Sequence, residues 1–287
     1  MTTSSRSIVV TGASTGIGRA AVFALLEQGF RVFAGVRDPA AAARLADAAP
    51  AGSGDRLQTL MLDVTNASQL AAAAGSVERA VGESGLWGLL NNAGITVNGP
   101  LEHADLDGLR RQLEVNVVGQ VAVTQAFIPL LRRARGRIVN IGSVAGFMAM
   151  PGLGPYAMSK HAMEAFSDSL RRELRPWGIE VSLLRPGPIV TDIWKKGVSD
   201  AEALQRDLSS QALADYGPLL GALYRLGKQA ERHASPPEVV TRAVVHAFTA
   251  SSPKTRYLMG TSSGVRKWLA RLPDRWLDAL ITRTLRL

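Results

Sequence analysis

Thr11-Gly-Ala-Ser-Thr-Gly-Ile-Gly18 follows the apolar run Ser7-Ile-Val-Val and leads into the helical pattern RAAVFALLEQG. A buried strand, a glycine turn and a helix are thus written in sequence. Gly12, Gly16 and Gly18 let the backbone turn tightly, approach a pyrophosphate and pack helix on sheet. Ser14, Thr15 and Ile17 fall where the helix N-terminus offers unpaired N–H groups to phosphates. A glycine-rich turn that binds nothing has the same composition, but the strand before this one and the helix after it are the context a phosphate site requires. Further along, strand-like runs (Arg31–Val36, RLQTLML from Arg56, Leu86–Leu90, RIVNIGS from Arg137) alternate with helical ones almost to the end of the chain. That alternation predicts an α/β fold with a parallel sheet.

Length and composition agree: 287 residues, 46% of them hydrophobic, can bury one substantial core, and a single domain over 1–287 is expected. No repeat, linker or low-complexity tract interrupts it; the alanine-rich stretches 40–51 and 71–74 lie in helical patterns. With no cysteine there is neither a disulfide nor thiolate chemistry, which agrees with a cytoplasmic location. No stretch approaches the roughly 20 apolar residues of a membrane span, and the first strand begins almost at once, so neither anchor nor signal peptide is expected. The four histidines (103, 161, 233, 246) lack metal-ligand spacing, and no metal site is expected.

The chemistry-bearing residues lie beyond the middle of the chain. Pro155–Arg175 reads as an amphipathic helix, and within it Tyr156 and Lys160 stand one turn apart on one face. An ammonium beside a phenol favours phenolate, so the lysine is expected to draw the tyrosine pKa from about 10 toward the range of a working acid/base. Ser143 ends a buried strand and would deliver its hydroxyl to the same cleft, suited to holding a carbonyl oxygen. The amides of Asn91-Asn92-Ala93-Gly94 and of Asn116, inside the helical run LRRQLEVNVVGQVAVTQAF, occupy positions where apolar residues would be less costly.

From residue 7 to about 260, these motifs in this order resemble the short-chain dehydrogenases/reductases. The resemblance implies a doubly wound parallel Rossmann sheet with helices on both faces, a cofactor-binding and catalytic core over 7–190, a substrate-loop region over 191–235 and C-terminal helices over 262–287. By that likeness Tyr156 is the catalytic acid/base, Ser143 orients the substrate oxygen, Lys160 also grips the nicotinamide ribose, and Asn116 supports a relay water. Asp63-Val64 resembles the family's adenine contact. Asn92, Ala93 and Gly94, together with Pro186, Gly187, Ile189 and Thr191 of RPGPIVT, resemble its other cofactor contacts. The reaction implied is hydride transfer between a nicotinamide and a carbinol carbon.

Cofactor choice is written at the tip of the second strand, where an acid would bind the ribose 2′-hydroxyl. Val36 there cannot accept a hydrogen bond, and Arg37 beside it suits a 2′-phosphate, so NADP(H) is expected over NAD(H). Asp38 is read as the cap of the helix DPAAAARLADAA, with a ribose contact as its alternative role.

The run Pro-Lys-Thr-Arg-Tyr at 253–257 and the basic tail resemble the retinol and hydroxysteroid dehydrogenase branch, which implies a bulky apolar ketone, aldehyde or alcohol as substrate. Phe147, Met150, Leu153, Trp194 and Tyr216 are the expected pocket residues. A 3-oxoacyl-thioester reductase and a non-catalytic NADP-binding scaffold are the alternatives. The net charge of +9 is concentrated at the C-terminus, where the last 34 residues hold eight Lys or Arg and two Asp. Trp268, Leu269, Leu272, Trp276, Leu280 and Ile281 recur there at helical spacing, interrupted by Pro273. Three roles fit this basic amphipathic pair: a wall over the substrate, a subunit contact in a homodimer or homotetramer, or a peripheral membrane contact. No nucleic-acid motif accompanies the charge.

Overall fold

Strand β1 (Ser7–Val10) is buried at every residue and pairs in parallel on both sides, with β2 (Arg31–Val36) and with β4 (Gly88–Asn91). A run of Ile and Val without polar alternation is what a strand covered on both faces requires. The computed structural model describes residues 6–191, 208–261 and 263–285. Its seven parallel strands run in the order β3-β2-β1-β4-β5-β6-β7, with β3 at Leu57–Met61, β5 at Arg137–Ile141, β6 at Glu180–Pro186 and β7 at Arg256–Met259. The chain winds outward from β1 to one side and then from β4 to the other, which makes this a doubly wound Rossmann sheet.

Side-chain alternation divides the core in two. Ile8 and Val10 face the layer holding Leu25, Leu26, Val244 and Phe248, from helices α1 (Gly16–Glu27) and Glu238–Thr249. Val9 and Phe33 face the opposite layer, where Val77, Phe127 and Leu170 come from α3 (Ala67–Val81), α5 (Gly119–Ala134) and α6 (Gly154–Leu174). Helix α2 (Pro39–Asp47) starts as expected: the Asp38 carboxylate accepts from the Ala41 N–H at 2.7 Å, and proline opens the first turn.

Helix α4 (Leu106–Leu113) runs into α5 through a π turn at Glu114–Val118. Within the continuous rod Leu106–Ala134 lies one apolar stretch that by length and composition alone is enough for a membrane span, where no such stretch was expected. In the fold its apolar face packs on the sheet, and it carries the buried polar side chains of Gln112, Asn116, Gln120 and Thr124.

After β6 the described chain resumes in α7 (Ser210–Arg232), followed by α8 (Glu238–Thr249), β7, α9 (Ser263–Leu269) and α10 (Asp274–Leu285). The tail forms the expected pair of helices, but its apolar residues do not share one environment. Leu277 and Ile281 are partly buried and Leu285 is buried, whereas Trp268 and Trp276 are each 69% exposed and Leu280 is also exposed. Four-residue steps keep Leu277, Ile281 and Leu285 on one face, and α10 packs on α7.

Candidate active site

The carboxyl ends of the strands open into a cleft of about 750 Å³, within the usual range of roughly 300–1,000 Å³ for a small-molecule site. Gly12 and Gly16 adopt φ of 62° and 53°, and a Cβ on Gly18 would lie 2.1 Å from the Gly12 carbonyl oxygen. The turn therefore closes on itself with no room for a side chain. Thr15, at the start of α1, makes no side-chain cap, so the first-turn N–H groups are left to the cleft. Asn92 locks the turn from the tip of β4: its amide donates to the carbonyls of Thr11 (2.9 Å) and Gly12 (3.0 Å). The Thr11 hydroxyl accepts from the N–H groups of Asn92 and Ala93 in return. This rigid cradle for an anionic group fits a dinucleotide pyrophosphate.

At one end of the cleft, Arg37 and Asp63 extend from the tips of β2 and β3. Burial pushes the Asp63 carboxyl up, but the Thr65 N–H and hydroxyl, then the Arg37 and Arg111 guanidiniums, outweigh it and hold the group below its usual range. The cationic corner and the lack of an acceptor at Val36 fit a phosphate-bearing ribose.

Ser143, Tyr156 and Lys160 line the same cleft, with the serine at the tip of β5 and the other two in the first turns of α6. The structure corrects one electrostatic expectation. The Lys160 ammonium donates to the Ile141 carbonyl at 2.9 Å and lies 5.6 Å from the Tyr156 ring centroid. Helical spacing puts the two on one face, but the longer lysine chain reaches past the phenol to the end of β5. Burial brings the amine down to about 8. Burial also raises the phenol above its ordinary value, with the Ser143 hydroxyl pulling the other way. In this arrangement Tyr156 is a protonated acid at neutral pH.

Asn116 sits in the π turn, 1% exposed. Its side chain accepts from the Ile95 N–H (2.8 Å) and donates to the Ile95 carbonyl (2.9 Å) and the Ser159 hydroxyl (3.1 Å). The Ser159 hydroxyl in turn donates to the Tyr156 carbonyl at 2.7 Å, so Asn116 joins the loop after β4 to the first turn of α6. The opened turn was not anticipated from sequence; an interior Asn in an apolar helix is the signal that points to it.

Gly12, Ser14, Thr15, Gly16, Ile17, Gly18, Arg37, Asp63, Val64, Asn92, Ala93, Gly94, Pro186, Gly187, Ile189 and Thr191 all line the cleft, as does Leu153 of the expected substrate pocket. Asn116 stands behind its wall. Phe147, Met150 and Tyr216, expected in the substrate pocket, do not line this cleft. The Phe147 ring lies under the Arg185 guanidinium, 5.1 Å from its centroid, and Arg185 forms a bidentate pair with Glu164. Met150 belongs to the turn before α6, where its carbonyl accepts from the Leu153 N–H. The Tyr216 hydroxyl donates to Glu102, and its ring packs edge-on against His103. Trp194, with Ile193, lies outside the described residues. Three arginines not anticipated as lining residues appear, Arg110 and Arg111 of α4 and Arg266 of α9.

Comparison with known proteins gives a consistent result. The family model for short chain dehydrogenase matches residues 6–202. The chain is 37% identical over 287 residues to an NADPH-dependent 3-dehydrocapnine reductase of Ornithobacterium rhinotracheale, covering 98% of each. It is 38% identical to mouse retinol dehydrogenase 5, covering 96% of this chain and 87% of that protein. Among solved structures, a short chain dehydrogenase/reductase of Burkholderia phymatum in complex with NAD superposes with a TM-score of 0.78 at 25% identity, covering 98% and 96% of the two chains.

Proposed function

From the chain's membership of the short-chain dehydrogenase family, whose named relatives are oxidoreductases acting on CH–OH groups, we propose that it is an NADP(H)-dependent reductase of a bulky, largely apolar ketone or aldehyde. The observation that carries this reading is the meeting of Ser143, Tyr156 and Lys160 with the glycine cradle and Arg37 in one cleft.

Ser143 and Tyr156 both hold the carbonyl oxygen, and Tyr156 gives it the phenolic proton as negative charge develops there. Lys160, charged at pH 7, is the residue that grips the ribose and restores the phenol's proton through solvent. Asn116 fixes the loop Gly94–Ile95 against α6, which keeps Tyr156 in register with Ser143. Arg37 takes the 2′-phosphate, and the cradle at Gly12–Gly18 takes the pyrophosphate. When bound, NADPH supplies the hydride. The relative named as NADPH-dependent supports this cofactor preference, and the structural neighbour in complex with NAD defines the competitor to test against.

The exposed Trp268 and Trp276, with Lys267, Arg271 and Arg275 around them, also support peripheral contact of α9–α10 with an anionic membrane surface.

The direct test is NADPH and NADH oxidation against steroid, retinoid, aryl and acyl-thioester carbonyls. Turnover of bulky ketones with NADPH is expected. Turnover with NADH alone would overturn the role of Arg37, and turnover confined to acyl thioesters would replace the substrate class.

A further inference from the structure

Arg266 has no place in the chemistry described so far. It lies in α9, whose Ser263 hydroxyl donates to the Met259 carbonyl at 2.7 Å and sits where a Cβ on Gly187 would be, 2.6 Å away. That packing brings α9 against the end of β7 and against the turn Val144–Gly146, immediately after Ser143. One turn further along α9, the Arg266 side chain lines the cleft with Pro186, Gly187 and Pro188.

Of the other cations of the cleft, Arg110 pairs with Asp107 and Lys160 donates to the Ile141 carbonyl, while Arg37 and Arg111 form no close ion pair but act together on Asp63 at the adenosine corner. Among the described residues no carboxylate lies within ion-pair distance of Arg266, and burial lowers its pKa. A half-buried guanidinium is costly unless it is paired, and its planar fork suits an oxyanion.

Position indicates whose oxyanion this is. The corner formed by Arg37 and Asp63 is at the tips of β2 and β3, and five strand spacings separate β2 from β7, roughly 24 Å. Arg266 is therefore at the end of the cleft away from the adenosine corner, on a helix packed against the turn that follows Ser143. We propose that Arg266 binds an anionic group of the substrate, a carboxylate or sulfonate carried near the reacting carbonyl, so that the substrate is an acidic amphiphile rather than a neutral apolar ketone. This rests on the reductase reading above and narrows its substrate class.

The test measures binding, independent of turnover. Octanoate, octane-1-sulfonate and neutral methyl octanoate are titrated into the NADPH complexes of the wild type, Arg266→Gln, Arg266→Lys and Lys267→Gln. The wild type is expected to bind both anions about tenfold or more tighter than the ester, the range of one charge-assisted contact. Arg266→Gln removes that difference while still binding the ester, Arg266→Lys keeps part of it, and Lys267→Gln, a neighbouring exposed charge, keeps all of it. NADPH affinity in Arg266→Gln stays within about twofold of wild type, since the contact is not with the cofactor. Equal or undetectable binding of acid and ester by the wild type overturns the proposal. So does an Arg266→Gln protein that loses about tenfold in NADPH affinity and keeps its anion preference, because the guanidinium then serves the cofactor's phosphates. If neutral bulky ketones turn over without any anion preference, only this inference fails. If the preference holds and no carbonyl is reduced, the anion site stands and the reductase reading fails.

Discussion

The two walls of the cleft are built differently. The strand-tip wall is cross-linked by hydrogen bonds: Asn92 to the Gly12 carbonyl, Thr11 to Asn92 and Ala93, and Asn116 to Ile95 and Ser159. The C-terminal wall is a short helix resting on β7, with Arg266 facing inward and Val265 and Trp268 exposed. In the proposed reading the first wall fixes the cofactor, and a side chain at Gly12 or Gly18 would collide with backbone there. In the proposed reading the second wall meets the substrate.

Two glycines test this contrast most severely. Gly18→Ala places a methyl 2.1 Å from a backbone oxygen, and is expected to cost about 3 kcal/mol or more of stability and to abolish NADPH binding. Gly264→Ala in α9, where nothing lies within 4 Å of the new methyl, is expected to change stability by under about 0.5 kcal/mol. Chemical denaturation of both proteins measures the difference; comparable losses would break the distinction between the walls.

Lys160 sharpens the same point through pH. Its amine falls from 10.5 to about 8 on folding, so between those values the unfolded chain holds a proton that the folded one has released. Stability must then rise with pH through that window, and the contribution is lost as pH falls through 8. Relative to Lys160→Met, the wild type is expected to gain roughly 2–3 kcal/mol between pH 7.5 and 10. Parallel pH dependences would show that the lysine is not buried as described.

A smaller effect is expected at the adenosine corner, where Arg37→Ala should weaken NADPH binding by about 10- to 100-fold and leave NADH within about twofold, the measure of one lost charged contact. Equal losses for both cofactors would assign Arg37 to the fold rather than to the phosphate. The least is asked of the tail. Wild-type protein should sediment with phosphatidylserine vesicles and not with neutral ones, and a Trp268→Ser, Trp276→Ser double variant should remain in the supernatant without loss of stability. Sedimentation of the variant would remove the membrane reading of this surface.

What could be read from the sequence follows the same division. The strand, turn and helix around Thr11–Gly18, the Asp38 cap and the convergence of Ser143, Tyr156 and Lys160 were legible because local rules enforce them: unbroken burial, glycine at positive φ, Asp before Pro, one helical turn. The π turn at Asn116 was not, because its cause is tertiary: the Asn side chain bonds a loop 21 residues away in sequence. Direct help from Lys160 to the phenol failed for a related reason, since spacing along a helix fixes which face a side chain shares but not how far along it reaches. That Phe147, Met150 and Tyr216 do not line the cleft was not legible, because apolar character does not tell a pocket lining from a packing contact. Arg266 escaped notice because it is one of eight basic residues in a tail whose charge was read as a whole.

The central claim, that Tyr156 supplies the proton while the strand-tip wall holds the cofactor, is tested most directly by measuring NADPH affinity and single-turnover NADPH oxidation side by side in the wild type and Tyr156→Phe. The account predicts an unchanged dissociation constant and a fall of about 10³-fold in the oxidation rate, the scale of one lost general acid. A parallel loss of binding and rate, or a rate that survives the substitution, would contradict it.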